Sequence, residues 1–175
     1  NGTKMSTSVN NWLTTVTDLV AEEAQMTIDV SCDYDDSNRN LKVDYAVNFT
    51  SDINKDLSVM VWIMENHIVG LQNMPGGAPN PLYEHNHVLR ASLNGDWGQK
   101  IGSSFKNGRV EEGTASITLY NGGADPKPAW VPENCQVVVW VFDTATKAVE
   151  QAALADVIPA VTPEPGPDEE PGEVE

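Results

Sequence analysis

Apolar residues near the start of the chain recur at intervals of three and four positions, which is typical of an amphipathic helix. This spacing predicts a helix from Val9 to about Glu23. Ser6 or Ser8 is a candidate cap for its first turn. Threonines within the segment lower its helix propensity, so we expect tertiary packing to hold it.

After the helix the apolar period changes to two, as expected of half-buried strands. The segments Met26–Tyr34 and Leu41–Phe49 both alternate in this way, and the turn-forming run Asp35–Asn40 joins them. Together they predict a β-hairpin. The stretch Asp33–Ser37 resembles the start of a calcium-binding loop, but Asn38 and Asp44 stand where such loops have glycine and glutamate. We therefore interpret it as a solvated turn.

Two later segments are apolar at nearly every position, which is typical of central strands buried on both faces. These segments are Leu57–Met64 and Val137–Phe142. Shorter or weaker patterns predict further strands at 68–71, 84–93, 115–119 and 147–154. Glycine, proline and asparagine predict loops at 73–81, 94–107 and 122–134.

This order of elements predicts a mainly β fold. Seven or eight antiparallel strands after one N-terminal helix favour an antiparallel β-sandwich of the immunoglobulin-like or jelly-roll type. We expect residues 1–24 to be a helical connector and residues 25–160 to be the sandwich domain. Residues 161–175 are rich in proline and acids and predict a disordered tail or linker.

Charge excludes some classes of partner. The chain has 26 acidic and 10 basic residues and a formal net charge of −16. Binding to nucleic acid or to an anionic membrane surface needs a basic face, so we expect neither. No apolar run approaches the ~20 residues of a membrane-spanning helix.

The chain has two cysteines, Cys32 and Cys135. They are compatible with two small buried apolar residues or with one disulfide between an early and a late strand. The sequence leaves this choice open.

Two histidines, His85 and His87, are separated by one residue. In a continuous strand this spacing places both imidazoles on one face, where they can bind a metal ion. The pair resembles half of a cupin metal motif, but the glutamate and the later histidine of that motif are missing, so a third ligand would have to be His67 or Glu65. We therefore interpret the histidines as structural or as part of a ligand groove. A metal centre formed by His67, His85 and His87 is the alternative.

The tryptophans fall into two groups. Trp62 and Trp140 lie within the central strands and are expected in the core. Trp97 and Trp130 lie in predicted loops, where they either bind a ligand or plug the open end of the sandwich. The candidate ligand-binding residues are Tyr83, His85, His87, Trp97 and Trp130.

The sequence contains no established arrangement of catalytic residues. It has no GxSxG or HExxH motif and no cysteine with an activating partner nearby in the sequence. We therefore expect a protein that is not an enzyme and needs no cofactor.

Three segments together resemble a known family. They are VWIMENHIVGLQ at 61–72, YEHNHVLRASLNGDWG at 83–98 and WVPENCQVVVWVFDTATKAVEQA at 130–152. They are similar to the Bacteroidetes outer-membrane lipoproteins typified by the twenty-eight-kilodalton outer membrane protein of Porphyromonas. The resemblance covers roughly residues 25–153, and its most specific part is HNHVLR, His85–Arg90.

The resemblance implies a lipid-anchored protein of the bacterial outer membrane that is exposed at the cell surface. It implies an adhesin or receptor that binds a host or bacterial surface protein or a glycan, acts as a monomer, and contacts the membrane only through an anchor outside this chain. Many such proteins have a thioredoxin-like region ahead of the β-domain. A structural spacer that supports that region is therefore a further alternative.

Overall fold

The computed structural model describes residues 9–123 and 128–159. Within them, a ten-residue helix precedes ten strands, and short 3-10 turns lie at Val9–Asn11 and Pro132–Asn134. The elements are α1 (Trp12–Ala21), β1 (Met26–Asp35), β2 (Asn40–Phe49), β3 (Leu57–Glu65), β4 (Ile68–Gln72), β5 (Asn80–His85), β6 (Val88–Ser92), β7 (Gln99–Gly102), β8 (Val110–Thr118), β9 (Cys135–Asp143) and β10 (Val149–Asp156).

The predicted hairpin is confirmed as β1 and β2, which pair in register over their whole length. Its turn is held by the Asp35 carboxylate, which accepts hydrogen bonds from the Ser37 hydroxyl at 2.7 Å, the Ser37 N–H at 2.9 Å and the Asn38 amide at 2.6 Å. The Ser37 bonds are the main reason why the pKa of Asp35 lies below its usual range. These contacts occupy the carboxylate within a turn of the chain itself.

The strands form two antiparallel sheets that enclose one core. One sheet has the order β1-β2-β8, and the other has the order β10-β9-β3-β6, with β7 also paired to β3. Strands β4 and β5 form a separate two-stranded ribbon. The centre of the core consists of fully buried aliphatic side chains, each worth about 1.5–3 kcal/mol of transfer free energy: Leu41, Val43, Val47, Val59, Val61, Ile63, Val137, Val139 and Val141. The mainly β, antiparallel sandwich is thus confirmed.

Several strand boundaries differ from the predictions. β7 lies inside the predicted loop 94–107, and β5 begins inside the predicted loop 73–81. β7 pairs with β3 at only a few positions around Lys100, which is too short a match to produce a periodic signal. The final strand begins at Val149 rather than Lys147, because Lys147 has a left-handed φ of 63° and belongs to the turn.

Cys32 on β1 and Cys135 at the start of β9 are not joined by a disulfide. Burial raises the pKa of the Cys32 thiol to about 11, and a smaller effect comes from the charge of Asp156. Burial also raises the pKa of the Cys135 thiol to about 12. Both side chains therefore act as small apolar residues that remain protonated near neutral pH.

The N-terminal helix is confirmed in type, but the expectation that packing holds it is wrong. α1 has no buried residue, and Leu13 and Val20 are 78% and 79% exposed. The helix ends at Ala21 because the backbone becomes extended at Glu22. The candidate caps Ser6 and Ser8 and the tail 161–175 lie outside the described residues. In the part of the chain that the structure describes, no helix has the length and apolarity needed to cross a bilayer.

Candidate functional site

The segment with the three histidines is built around two Asn-His steps that face each other. Asn66-His67 joins β3 to β4, and Asn86-His87 joins β5 to β6. The Asn86 side-chain oxygen accepts the His67 backbone N–H at 2.9 Å, and the Asn66 side-chain oxygen accepts the His87 backbone N–H at 2.8 Å. Both histidines have left-handed backbones, with φ of 59° and 55°. This reciprocal pairing bends the β3–β6 pair into the β4–β5 ribbon.

The prediction of one strand over residues 84–93 is therefore wrong. The strand is interrupted at Asn86 and His87. Alternation therefore does not place the side chains of His85 and His87 on one face. His85 is half-buried, with its ring beside Gly70 and at 4.9 Å from the Tyr83 ring, edge to face. His85 thus packs within the ribbon, while the backbone of His87 forms the bend.

His67 interacts with a carboxylate rather than with the other histidines. Its Nδ1 lies 2.7 Å from Glu84 Oε1, and this hydrogen bond is the main cause of the lowered pKa of Glu84. Among the described residues, no group of three or more His, Cys, Asp or Glu side chains is close enough to hold a metal ion. The geometry gives the alternative of a metal centre at His67, His85 and His87 no support.

A buried ion pair lies beneath the bend. Arg90 Nε donates to Glu65 Oε2 at 2.7 Å, and Glu65 Oε1 accepts the Val131 backbone N–H at 3.0 Å. The Glu65 side chain is only 4% exposed. The Arg90 guanidinium also lies over the Trp130 ring, 5.8 Å from its centroid. Arg90 is thus paired with a buried acid, and this pair connects β3, β6 and the segment before β9.

Arg39 holds the backbone at Trp130. The guanidinium of Arg39 donates to the carbonyl oxygens of Leu119 and Tyr120 at 3.2 Å and of Trp130 at 2.7 Å. The Trp130 ring is half-buried and packs against the core. Of the two alternatives for this residue, the structure therefore favours the plug.

The five-stranded sheet carries a band of apolar side chains on the face that points away from the core, and the polar residues Ser58, Ser92, Gln136 and Asp156 lie on the same face around it. Met60 and Phe142 on this face are each 5% exposed but belong to no part of the core cluster, whereas Leu154 and Leu89 at the two edges are 52% and 49% exposed. The pairing of Leu154 with Val138 and of Leu89 with Met64 places them on this same face. We call this surface the apolar outer face; it consists of Met60, Trp62, Met64, Leu89, Val138, Trp140, Phe142, Val149, Ala152 and Leu154.

Trp62 and Trp140 belong to this face, so the expectation that they lie in the core is wrong. Both are half-buried, and their rings meet edge to face with centroids 4.0 Å apart and planes at 68°. Periodicity placed them correctly on central strands. It did not show that only one face of those strands is covered.

The outer face of the other sheet is polar. Asp29 and Ser31 on β1, Asp44 on β2 and Glu112 and Thr114 on β8 line a shallow groove of about 550 Å³ there. This composition is ordinary for a solvated sheet face. The two outer faces of the sandwich thus differ sharply in polarity.

Trp97 lies at the opposite end of β3 from the other candidate residues. Its ring is 76% exposed, and the Lys147 ammonium lies 5.7 Å from its centroid. Lys147 also lies 5.5 Å from the centroid of Phe142, which joins this end to the apolar outer face. The structure therefore groups Tyr83, His85, His87 and Trp130 near the Glu65 end of β3 and separates Trp97 from them.

Sequence reasoning missed two features. The first is the Asn66-His67 partner of Asn86-His87, whose signal is the repeated Asn-His dipeptide. The second is the apolar outer face, whose signal is the absence of alternation in β3 and β9 together with the apolar residues of the edge strand β10.

Comparison with known proteins identifies relatives of this chain. The family model of outer membrane protein Omp28 matches residues 1–159. The solved structure of a domain of the outer membrane lipoprotein Omp28 from Porphyromonas gingivalis has a TM-score of 0.54 at 20% identity and covers 78% of this chain and 90% of that chain. No curated protein matches the chain.

Some solved enzymes also match, at low scores. β-Glucosidase 3B from Thermotoga neapolitana, in complex with glucose, has a TM-score of 0.33 at 17% identity and covers 78% of this chain and 17% of that chain. A mutant β-glucosidase from Listeria innocua, in complex with laminaribiose, has a TM-score of 0.35 at 14% identity, with 78% and 17% covered. Similarity this weak supports no functional argument.

Proposed function

Because the chain belongs to the Omp28 family of outer membrane proteins, we propose that it is a non-catalytic, surface-exposed domain of a bacterial outer-membrane lipoprotein. It acts as an adhesin or receptor and binds a partner protein through the apolar outer face. The observation that carries this proposal is that face, which spans four neighbouring strands, is half-buried at Trp62 and Trp140 and is exposed at its edges.

The charge of the molecule makes this face unusual. The chain has 26 acidic and 10 basic residues, and several of the acids lie on the outer face of the other sheet. Contiguous apolar surface on a soluble domain is a common mark of an interaction site, because it costs free energy when left in water. Tryptophans and methionines concentrated in its centre match the composition of interface hot spots.

The geometry of the two central rings favours a protein over a glycan on this face. A sugar chain stacks best on rings that lie flat along its path, whereas Trp62 and Trp140 are inclined to each other by 68°. Inclined rings leave clefts that apolar side chains of a partner protein can fill. The half-buried Met64 adds an adaptable contact beside them.

The test is a binding measurement with purified host and bacterial surface proteins against the immobilised chain. Leu154→Asp places a charge at the exposed edge of the apolar outer face. We expect it to raise the dissociation constant of any partner that binds by about tenfold or more. Val110→Asp is the matched control, because Val110 pairs with Asn48 on the polar outer face and is 41% exposed. It should change the dissociation constant less than about twofold.

Two results would count against the proposal. One is that none of the surface proteins binds. The other is that a partner binds but the two variants weaken it equally, since the apolar outer face would then have no special part in binding.

A second candidate function is favoured by one observation. The exposed apolar side chains of α1, such as Leu13 and Val20, suit a structural spacer that holds a neighbouring domain, for example a thioredoxin-like one. In that case, Leu13→Asp would loosen the attachment of a neighbouring domain in a protein that contains both domains, and Leu154→Asp would not affect the binding of any partner.

A further inference from the structure

Lys147 differs from the other exposed cations of the molecule. Lys55 pairs with Glu150, Lys100 with Asp56, and the remaining exposed lysines and Arg109 in the described part of the chain also have carboxylate partners within 4.0 Å: Lys42 with Asp44, Lys106 with Asp52 and Arg109 with Glu111. Lys147 has no such ion pair among the described residues and lies instead over Trp97 and Phe142. In a chain with so many acids, an ammonium left without a carboxylate is available to an external anion.

The turn around Lys147 holds the backbone of this residue in a defined conformation. The Asp143 carboxylate accepts the backbone N–H groups of Ala145 at 2.7 Å and Thr146 at 3.0 Å, and the Asp143 carbonyl accepts the Lys147 N–H at 2.8 Å. Lys147 adopts a φ of 63°, a conformation that usually selects glycine or asparagine. For a lysine this conformation carries backbone strain. The strained residue is the one whose ammonium lies over the Trp97 ring.

The loop that carries Trp97 is equally well anchored. The Asn94 side chain accepts the Val61 N–H and donates to the Val59 carbonyl, both at 3.0 Å, so it takes the place of a paired strand. Gly98 has a φ of 67°, and a side chain there would collide with the Val59 carbonyl. The loop is therefore held close to β3, while the Trp97 ring remains 76% exposed.

We propose that Trp97 and Lys147 form a binding site for a carboxylated saccharide, such as a uronic acid unit. The apolar C–H face of the sugar ring packs on the exposed indole of Trp97, and its carboxylate pairs with the Lys147 ammonium. The backbones that carry both side chains are already fixed by their loops, so less conformational entropy is lost on binding. This site lies beyond the proposed protein-binding function, because it takes a different ligand and uses residues at one end of the sheet.

The net charge of −16 does not prevent this binding. At physiological ionic strength, charges separated by more than about 8 Å are largely screened, so the nearest ions decide the interaction. Of the two carboxylates in the loops that carry the site, that of Asp143 accepts the backbone N–H groups of Ala145 and Thr146, and that of Asp96 is exposed to solvent, where its charge is screened.

The test is calorimetric titration of the whole chain with trigalacturonic acid and, in parallel, with its fully methyl-esterified form. The two probes have similar rings and differ in charge. We expect the acid to bind with a dissociation constant of about 1 mM or tighter and the ester to bind about tenfold more weakly. Trp97→Ala should weaken binding of the acid about tenfold. Lys147→Gln should weaken binding of the acid but not binding of the ester.

Lys100→Gln is the matched control, because Lys100 is exposed at the same end of the sheet but is paired with Asp56. It should leave both affinities within about twofold of the unsubstituted chain. The proposal is overturned if the acid fails to bind, if the ester binds as tightly as the acid, or if Lys100→Gln has the same effect as Lys147→Gln. Leu154→Asp should not affect the saccharide, so failure of this site and failure of the protein-binding face give different results.

Discussion

The side chains of Asn66 and Asn86 determine how β3 and β6 bend into the ribbon. Each accepts the backbone N–H of the opposite histidine. Asn86→Ala removes one of these hydrogen bonds, and we expect it to lower the free energy of unfolding by about 1 kcal/mol, the usual net value of one such bond. Chemical denaturation followed by tryptophan fluorescence measures the change.

The control for this prediction is His87→Ala, because the bend uses the backbone N–H of His87. It should change the free energy of unfolding by less than about 0.5 kcal/mol. A larger loss for His87→Ala than for Asn86→Ala would assign the stabilising role to the imidazole. At this scale the sequence predicted the importance of the segment around His85 but not its geometry, since a left-handed φ leaves no mark in the alternation of apolar residues.

Among the elements, the ion pair of Arg90 and Glu65 joins β3, β6 and the segment before β9. Arg90→Met would leave the buried Glu65 carboxylate without its cation, and we expect a loss of about 3–5 kcal/mol in the free energy of unfolding. The double variant with Glu65→Leu should recover most of this loss. Recovery stays incomplete because the Val131 N–H then lacks its acceptor. Thermal melts compare the stability of the unsubstituted chain, Arg90→Met and the double variant. A double variant that is no more stable than Arg90→Met would contradict the prediction.

The elements themselves were largely predictable from periodicity. Alternation correctly predicted the β1–β2 hairpin, and continuous apolarity correctly predicted β3 and β9 as central strands. The same pattern could not show what covers each face of a strand, which is why Trp62 and Trp140 were placed in the core. Coverage depends on which elements lie above the sheet, and this is a property of the tertiary structure.

For the whole molecule, polarity is distributed unequally between the two outer faces. The sheet β1-β2-β8 presents acids and hydroxyl groups to solvent, and the sheet containing β3 and β9 presents tryptophan, methionine and leucine. A high net charge of one sign opposes self-association through this apolar surface. The family assignment was predictable from three sequence segments, and these segments contain the bend, the Arg90 pair and the central strand β9. The site on the apolar outer face was not predictable from the sequence, since its residues come from several strands and no single segment contains them.

The stability of the whole molecule should have a plateau in pH with two different limits. Hydrogen bonds from Lys106 and from the Thr146 backbone hold the pKa values of Asp52 and Asp143 below their usual range, so these groups stabilise the fold above the unfolded pKa of about 4. This contribution is lost as the pH falls through their lower folded values. Cys32 and Cys135 act in the opposite direction. Their folded pKa values of about 11 and 12 exceed the unfolded value of 9.0, so stability falls as the pH rises above 9.

Thermal midpoints measured from pH 2 to pH 11 should therefore decline below about pH 4 and above about pH 9. The double variant Cys32→Ala with Cys135→Ala separates the two limits. We expect a shallower alkaline decline, with some remaining because burial also raises the pKa of Tyr45. The acid limb should keep its midpoint and slope, since Asp52 and Asp143 still lose their hydrogen-bonded charge there. An alkaline limb that is unchanged in the double variant would mean that the thiols do not limit stability, and the tyrosines would then account for the decline.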